Sequence, residues 1–461
     1  MQNYWKTLVL ACSVCATAMQ VVAQEHMHAE RMHMQEDTAK HPMKGMGKRI
    51  TGMQDSNGMP DMTMSHAFSL HLPMTRNGSG TAWSPDASPM YGYMVHSAGW
   101  MFMFHGDIFP RYNHQDWWSK GSRGGDKWDA PDMLMAMGQR KVGTNGLFHF
   151  NIMLSTDPVF GGDGYPLLFQ TGESWQGQPL VDRQHPHDLF SELSVSYSYA
   201  LSEQADIFVY FGYPGEPALG PVTFMHRASG QFMPDAPIGH HWEDATHITF
   251  GVSTIGVRYG QFKLEGSSFT GREPNEHRYD FDKPRFNSWS SRLSFNPTEN
   301  WALQVSHGFI KSPEELKPDE NVHRTTASAT ATYPWNNTGY LAATALWGLN
   351  KTPGQDASNA ALLEATLRLN KCAVYTRYEW VQKSVEELNL LEPVYGPSDR
   401  QFALNTVTLG GAYDLLRIGH LVLAAGAQVS VNRPATALQG LYGKTPLSGE
   451  LYLHIYPQRM Q

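Results

Sequence analysis

Residues 289–309 read WSSRLSFNPTENWALQVSHGF. The first seven alternate: Trp289, Ser291, Leu293 and Phe295 fall on one face, Ser290, Arg292 and Ser294 on the other. NPTEN breaks the run. WALQVSHGF then resumes it, with Trp301, Leu303, Val305 and Phe309 opposite Ala302, Gln304 and Ser306. A strand turns successive side chains to opposite faces, so each run predicts a half-buried strand and the break predicts a hairpin.

The rhythm recurs along the chain. HLVLAAGAQVSV sets Leu421, Leu423, Ala425, Ala427, Val429 and Val431 opposite His420, Gln428 and Ser430, and GELYLHIY sets Leu451, Leu453 and Ile455 opposite Glu450, Tyr452 and His454. About sixteen strands are predicted, near 93–105, 132–141, 147–156, 190–201, 205–213, 246–259, 260–270, 287–296, 300–310, 322–333, 338–349, 358–369, 372–383, 401–414, 417–431 and 447–456. Tight turns follow the even strands. Long loops such as 106–131, 157–189, 214–245 and 271–286 follow the odd ones. Short turns at one end and long loops at the other predict an all-β fold, an antiparallel transmembrane β-barrel of the bacterial outer membrane. A soluble propeller would carry blade repeats of about 40–50 residues, and the sequence has none.

The bulk composition agrees. Of 461 residues 17 % are charged and 12 % aromatic, and the net charge of −8 argues against a nucleic-acid partner. MQNYWKTLVLACSVCATAMQVVAQ reads as a secretory signal over 1–24, with Val21-Val22-Ala23 as the cleavage site. Cys12 and Cys15 fall inside it. Only Cys372 remains afterwards, so no disulfide framework is expected. Export and outer-membrane lipid as the surrounding medium follow from the same reading.

Residues 25–89 are expected to be a disordered Met/His-rich periplasmic tail and linker, with the barrel over 90–461. From 25 to 66 there are nine Met and five His but almost no branched or aromatic side chain to build a core. Thioether sulfur prefers Cu(I), and imidazole also takes copper. EHMHAERMHM therefore offers His26, Met27, His28, Met32, His33 and Met34 as copper ligands, and Met43 and Met46 continue the set. The plainer alternative is a biased linker. Copper would be held transiently, with no cofactor needed for folding, and delivery along this route implies a periplasmic metal carrier as partner.

Three further groups stand out. WMFMFH and LFHFNIML put Met101, Met103, His105, His149 and Met153 on the face opposite the aromatics, so they line the lumen as a soft-metal track or as ordinary packing. LVDRQHPHDLF supplies Asp182, Arg183, His185, His187 and Asp188, and APIGHHWEDATH supplies His240, His241, Asp244 and His247. Neither spacing matches a metal motif. A polar latch fastening loops over the barrel mouth is expected, with Asp182, Arg183 and Asp188 pairing, and with metal binding as the weaker alternative. FTGREPNEHRYDFD places Arg272, Glu273, Arg278 and Asp280 either in a lumen charge ring or at a solvated rim. No nucleophile elbow, phosphate loop or dinucleotide fingerprint occurs, so no enzymatic activity is expected.

GWMFMFHGDIF, GYPLLFQTGE, LVDRQHPHDLF, APIGHHWEDATHITFGV and FTGREPNEHRYDFD together resemble a family of exported bacterial proteins with no established activity. The resemblance covers roughly residues 78 to 300 and implies no ligand residues. In layout, a Met/His-rich tail before a barrel is similar to the copper-resistance B outer-membrane family. The function expected is copper binding, tolerance or export. The alternative is a general or solute-selective pore without a metal role.

Overall fold

The computed structural model describes residues 64–118 and 121–460. The signal segment and the expected copper ligands His26, Met27, His28, Met32, His33, Met34, Met43 and Met46 lie outside the described residues.

The chain forms a closed antiparallel barrel of sixteen strands. They are β1 (Trp100–Ile108, continuing as Arg111–Gln115), β2 (Gly125–Asp129, continuing as Asp132–Val142), β3 (Gly146–Leu154), β4 (Phe190–Ser202), β5 (Ala205–Gly212), β6 (Val252–Tyr259), β7 (Phe262–Phe269) and β8 (Ser288–Thr298). There follow β9 (Trp301–Lys311), β10 (Asn321–Asn336), β11 (Gly339–Lys351), β12 (Ser358–Leu369), β13 (Cys372–Ser384), β14 (Gln401–Ile418), β15 (Leu421–Arg433) and β16 (Leu447–Pro457). Each pairs with its neighbour, and β16 closes on β1 with Tyr452 opposite Arg111 and Gly449 opposite His114. Closure leaves no free sheet edge, as a strand surrounded by lipid requires.

The alternation sorts the barrel wall as its physical chemistry demands. On β8, Ser290, Arg292 and Ser294 are buried toward the lumen, while Leu293 keeps 48 % of its surface exposed outward. Leu264, Val305, Leu363 and Leu409 continue the outward apolar band. Aromatics collect at both ends of it. Tyr259, Trp301 and Tyr333 stand near the tight turns, and Trp289, Trp347 and Tyr378 near the long loops. Four of the six have paired polar tips: Trp301 Nε1 donates to the Tyr333 hydroxyl at 2.8 Å, Trp347 Nε1 to Asn359 Oδ1 at 3.1 Å, and the Tyr378 hydroxyl to Asn405 Oδ1 at 2.9 Å. A lipid-facing band between two aromatic girdles places the chain in the outer membrane, with the tight turns on the periplasmic side.

All sixteen predicted strands exist, with three corrections to their limits. Residues 93–105 are not one strand. Tyr93–Ser97 turns back through Ala98 and Gly99, both at positive φ, and pairs with β1. Residues 106–131 are mostly wall rather than loop. Phe109-Pro110 and Ala130-Pro131 interrupt β1 and β2 without ending them, since proline removes a ladder donor but not the strand's direction. Residues 246–251 stay inside the barrel, and β6 starts only at Val252.

The folded part also begins before residue 90. Ser65–His66 and Ser69–Pro73 form a small hairpin, and Phe68, Met74, Ala82 and Trp83 are buried. Arg292 donates to Thr81 Oγ1 at 2.8 Å, and Asn296 to the Ser84 carbonyl at 3.0 Å, so lumen side chains of β8 hold this segment. It lacks the branched residues of a self-contained core because its core is the barrel interior.

The lumen is filled. Nearly all of 213–251, the connection between β5 and β6, is buried. Its backbone groups find partners on the wall. Ala218 N donates to Ser267 Oγ at 2.8 Å, Gly220 N to Ser306 Oγ at 2.9 Å, and Ile238 N to Glu379 Oε1 at 2.6 Å. Arg227 Nε bonds Glu364 at 2.7 Å and its Nη1 bonds Asp244 at 3.0 Å, while Arg111 bonds Asp235 at 2.5 Å. A polar lumen thus satisfies an irregular plug that lipid would not tolerate. A hairpin of Tyr165–Trp175 and Gln178–Gln184 packs beside it through Leu168, Phe169, Ile238 and Trp242.

Candidate functional site

The two histidine-bearing loops meet inside the barrel. His185 and His187 end the loop leading into β4. His240, His241 and His247 lie on the plug, with His240–Glu243 forming one helical turn. All five are buried. Ring centroids are 5.4 Å apart for His187–His247, 5.2 Å for His247–His240, 5.8 Å for His240–His185 and 6.3 Å for His185–His187. These four rings close a circuit. His241 caps it, 5.3 Å from His240 and 5.4 Å from His185.

Four of the five rings have a partner at Nδ1; among the described residues His241 Nδ1 has no hydrogen bond. His187 Nδ1 bonds Asp157 Oδ2 at 2.8 Å, His240 Nδ1 bonds Asp244 Oδ1 at 2.5 Å, and His247 Nδ1 bonds the Asp244 carbonyl at 2.9 Å. His185 Nδ1 stands 3.1 Å from Glu173 Oε1, and His241 Nδ1 stands 3.4 Å from Glu273 Oε1 and 3.8 Å from Glu314 Oε1. An acceptor at Nδ1 fixes the proton there and leaves Nε2 with a free lone pair. Among the described residues, all five Nε2 atoms are buried without a hydrogen-bond partner. Buried polar atoms are almost always paired, so five together call for a partner, an ordered water or an ion.

The charge states fit. Burial, the largest cause in each case, lowers His185, His240, His241 and His247 below the ordinary histidine value, His241 to about 4. These imidazoles are neutral at physiological pH, the form that binds metal. Burial alone would raise Asp244, but the hydrogen bond from His240 and the charge of Arg227 outweigh it and hold the carboxylate ionised. Burial pushes Glu273 up to about 7, against the pull of Arg324, and Glu314 to about 7, with Glu273 adding to the rise. His241, Glu273 and Glu314 already bring ligand atoms within 4.8 Å of one another. Two carboxyls whose burial favours the protonated form and one imidazole make a buried donor set that a cation could join.

Gly172 makes room for His241. It has φ +123, and a Cβ there would stand 2.2 Å from His241 Nε2. The glycine of GYPLLFQTGE is therefore required both by its backbone and by the ring beside it.

The polar residues of LVDRQHPHDLF bond to partners other than those expected. Asp182 accepts from Phe169 N at 2.7 Å and from Arg123 at 3.0 Å, Arg183 bonds Asp163 at 2.5 Å, and Asp188 meets Arg278 at 3.5 Å. Asp182, Arg183 and Asp188 do not pair with one another, because Asp182 turns through positive φ and points away from its neighbours. His185 and His187 diverge along the chain, yet both join the plug histidines, which approach from two sides.

The fourth group splits. Glu273 and Arg278 are buried, and Arg278 also bonds Glu173. Arg272 instead holds Ser312, donating to its carbonyl at 2.8 Å. Asp280 is exposed, so no lumen charge ring includes it. Met101, Met103, His149 and Met153 are buried on the lumen face, and His105 lies on that face with Nδ1 2.5 Å from the Tyr91 carbonyl. Sequence reasoning passed over Asp157, Glu173 and Glu314. Glu173 lies in a quoted motif, but nothing in the sequence marks the other two.

No family model matches the chain, and no curated protein matches it. Among solved structures, the chain is similar to an anion-selective porin from Comamonas acidovorans, at 10 % identity over 77 % of this chain and 99 % of that one, with a TM-score of 0.47. It is also similar to OmpF of Salmonella typhi in complex with daunomycin, at 10 % identity over 79 % and 100 %, TM-score 0.48. OprB of Pseudomonas putida shows 11 % identity over 77 % and 94 %, TM-score 0.47.

Proposed function

We propose that this outer-membrane barrel binds a transition-metal ion in its lumen, with copper as the metal, and serves copper tolerance or export. The carrying observation is the set of five buried imidazoles with unpartnered Nε2 atoms, four of them tethered at Nδ1. Carboxylate-tethered histidine is the arrangement that orients metal ligands. A tetrahedral ion with metal–nitrogen bonds of about 2.0–2.1 Å holds neighbouring imidazole centroids roughly 5 Å apart. The circuit, with sides of 5.2 to 6.3 Å, is wider, and among the described residues no three of these imidazoles bring ring nitrogens within 4.8 Å of one another, so loading would have to draw the rings inward. His26 to Met34 would supply first capture on the periplasmic side, and a periplasmic carrier would feed them.

The test is electron paramagnetic resonance of the full-length protein loaded with Cu(II) in detergent. Nitrogen hyperfine structure from the plug imidazoles is expected beside that of the tail histidines, and the plug share is lost in the double variant H240A/H247A. It persists when residues 25–61 are deleted. A wild-type spectrum without the plug-histidine contribution refutes the reading.

A pore is the second reading, favoured by the closed sixteen-strand wall. It requires the plug to leave the lumen. Steady conductance of the unmodified protein in a planar bilayer would support it.

A further inference from the structure

A second donor set occupies the periplasmic half of the lumen, apart from the histidine cage. Met74, Met101, Met103 and Met137 are buried in one cluster, and Met90, Met94, Met135 and Met460 pack against them. Five stretches of chain supply these eight methionines: the entering segment, the Tyr93–Ser97 strand, β1, β2 and the C-terminus. The ladder aligns them. Met94 pairs with Met103, Met103 with Met137, and Met137 with Asn151 across adjacent strands. The next row on the same face runs His105, Met135, Met153.

Packing alone does not require sulfur, because the other three buried clusters of this barrel are built from aliphatic and aromatic side chains with a single methionine, Met233, among them. Met135 and Met137 line a cavity of about 20 Å³ together with His149, Asn151 and His226, room for one water-sized occupant. His149 Nε2 and Asn151 Oδ1 are buried there without a hydrogen-bond partner among the described residues. His226 reaches the cavity from the plug, with its ring 6.2 Å from that of His105.

We propose that Met135, Met137, His149 and His226 form a Cu(I) site distinct from the cage. Thioether and neutral imidazole are soft donors, and two of each around a small cavity suit a monovalent d¹⁰ ion better than Zn(II) or Cu(II), since the Glu192 carboxylate on the same lining is already bonded by Ser194, Tyr210 and Asn151. The cage offers imidazole and carboxylate, the harder set. The lumen would thus hold reduced copper toward the periplasm and divalent metal beneath the outer loops. This deepens the metal reading of the lumen and rests on it for the choice of copper.

The test uses the full-length protein with Cu(I) supplied as its bathocuproine disulfonate complex under anaerobic conditions. M135L/M137L conserves volume and should keep the barrel folded, as read by heat-modifiable migration. It is expected to retain one fewer Cu(I) than wild type, since the tail and Cys372 contribute equally to both proteins. H226A, on the plug rather than the wall, should weaken the same equivalent at least tenfold. Silver, a redox-inert stand-in, should give an anomalous peak at this cavity in wild-type crystals. Equal Cu(I) stoichiometry in wild type and M135L/M137L, or a silver peak that survives the double substitution, overturns the proposal. H240A/H247A separates the two readings: it should abolish the Cu(II) signal of the cage and leave this Cu(I) equivalent in place.

Discussion

Replacing Arg227 with Met should unpin the plug. The Arg227 side chain is fully buried. It bonds Glu364 on β12 at 2.7 Å, Asp244 on the plug at 3.0 Å and the Val222 carbonyl at 3.2 Å. Methionine keeps much of the length and none of the charge. Asp244 would lose its only cation among the contacts described, while Glu364 would keep Arg377 at 3.0 Å. Removing one member of a buried charge network costs about 3–5 kcal/mol, because the remaining charge stays desolvated. That cost falls on the plugged state, since a displaced plug rehydrates Asp244. The displaced fraction should therefore rise roughly a hundredfold to a few-thousandfold. Arg111–Asp235 and the backbone bonds of 218–238 remain, so the plug stays in place most of the time. Single-channel recording in planar bilayers should show a silent wild type and brief open events in R227M. Heat-modifiable migration in SDS gels checks that the barrel is intact. An intact R227M as silent as wild type, or a wild type that conducts steadily, refutes the role given to Arg227.

Further outcomes follow from the same geometry. G172A forces a Cβ against His241 and strains a positive-φ residue at a cost of about 1–3 kcal/mol, so Cu(II) affinity measured by competitive titration should fall at least tenfold. Burial raises Glu273 and Asp188 to about 7, above the ordinary carboxylate values of about 4. The folded state then holds protons that the unfolded chain has released, and the metal-free protein should lose stability as pH rises from about 4 to 7. Melting followed by heat-modifiability at pH 5 and pH 7.5 checks the sign, and added Cu(II) should reverse the loss at the higher pH. D157N leaves His187 without its anionic partner and should weaken metal binding about 10- to 100-fold with little change in barrel stability. L293R puts a charge on the lipid face and should destabilise the barrel in liposomes by about 2–4 kcal/mol in urea titration, whereas S290A on the lumen side should not.

Much of the wall was legible because its signal is local. Alternation at 289–295 and 301–309 needs no partner to be read, and the spacing of turns and loops carries the topology. The inward facing of Met101, His149 and Met153 followed from the same parity. The strand over 93–105 misled because Ala98 takes a left-handed turn that its side chain does not announce. The segment from 64 to 89 looked like linker because its hydrophobic partners are wall residues such as Phe208 and Tyr210.

The sequence by itself determined the barrel, a strand number near sixteen, its inner and outer faces and its place in the outer membrane. Each depends on a period of two along the chain and on the length of the breaks. The tertiary structure alone decided that the lumen is filled, and that His185 and His187 meet His240, His241 and His247 there. Those two groups lie more than fifty residues apart on irregular loops, where no periodicity ties position to direction. What brings them together is the demand of buried backbone groups for partners across the barrel, a condition set by the closed wall and invisible in either stretch alone.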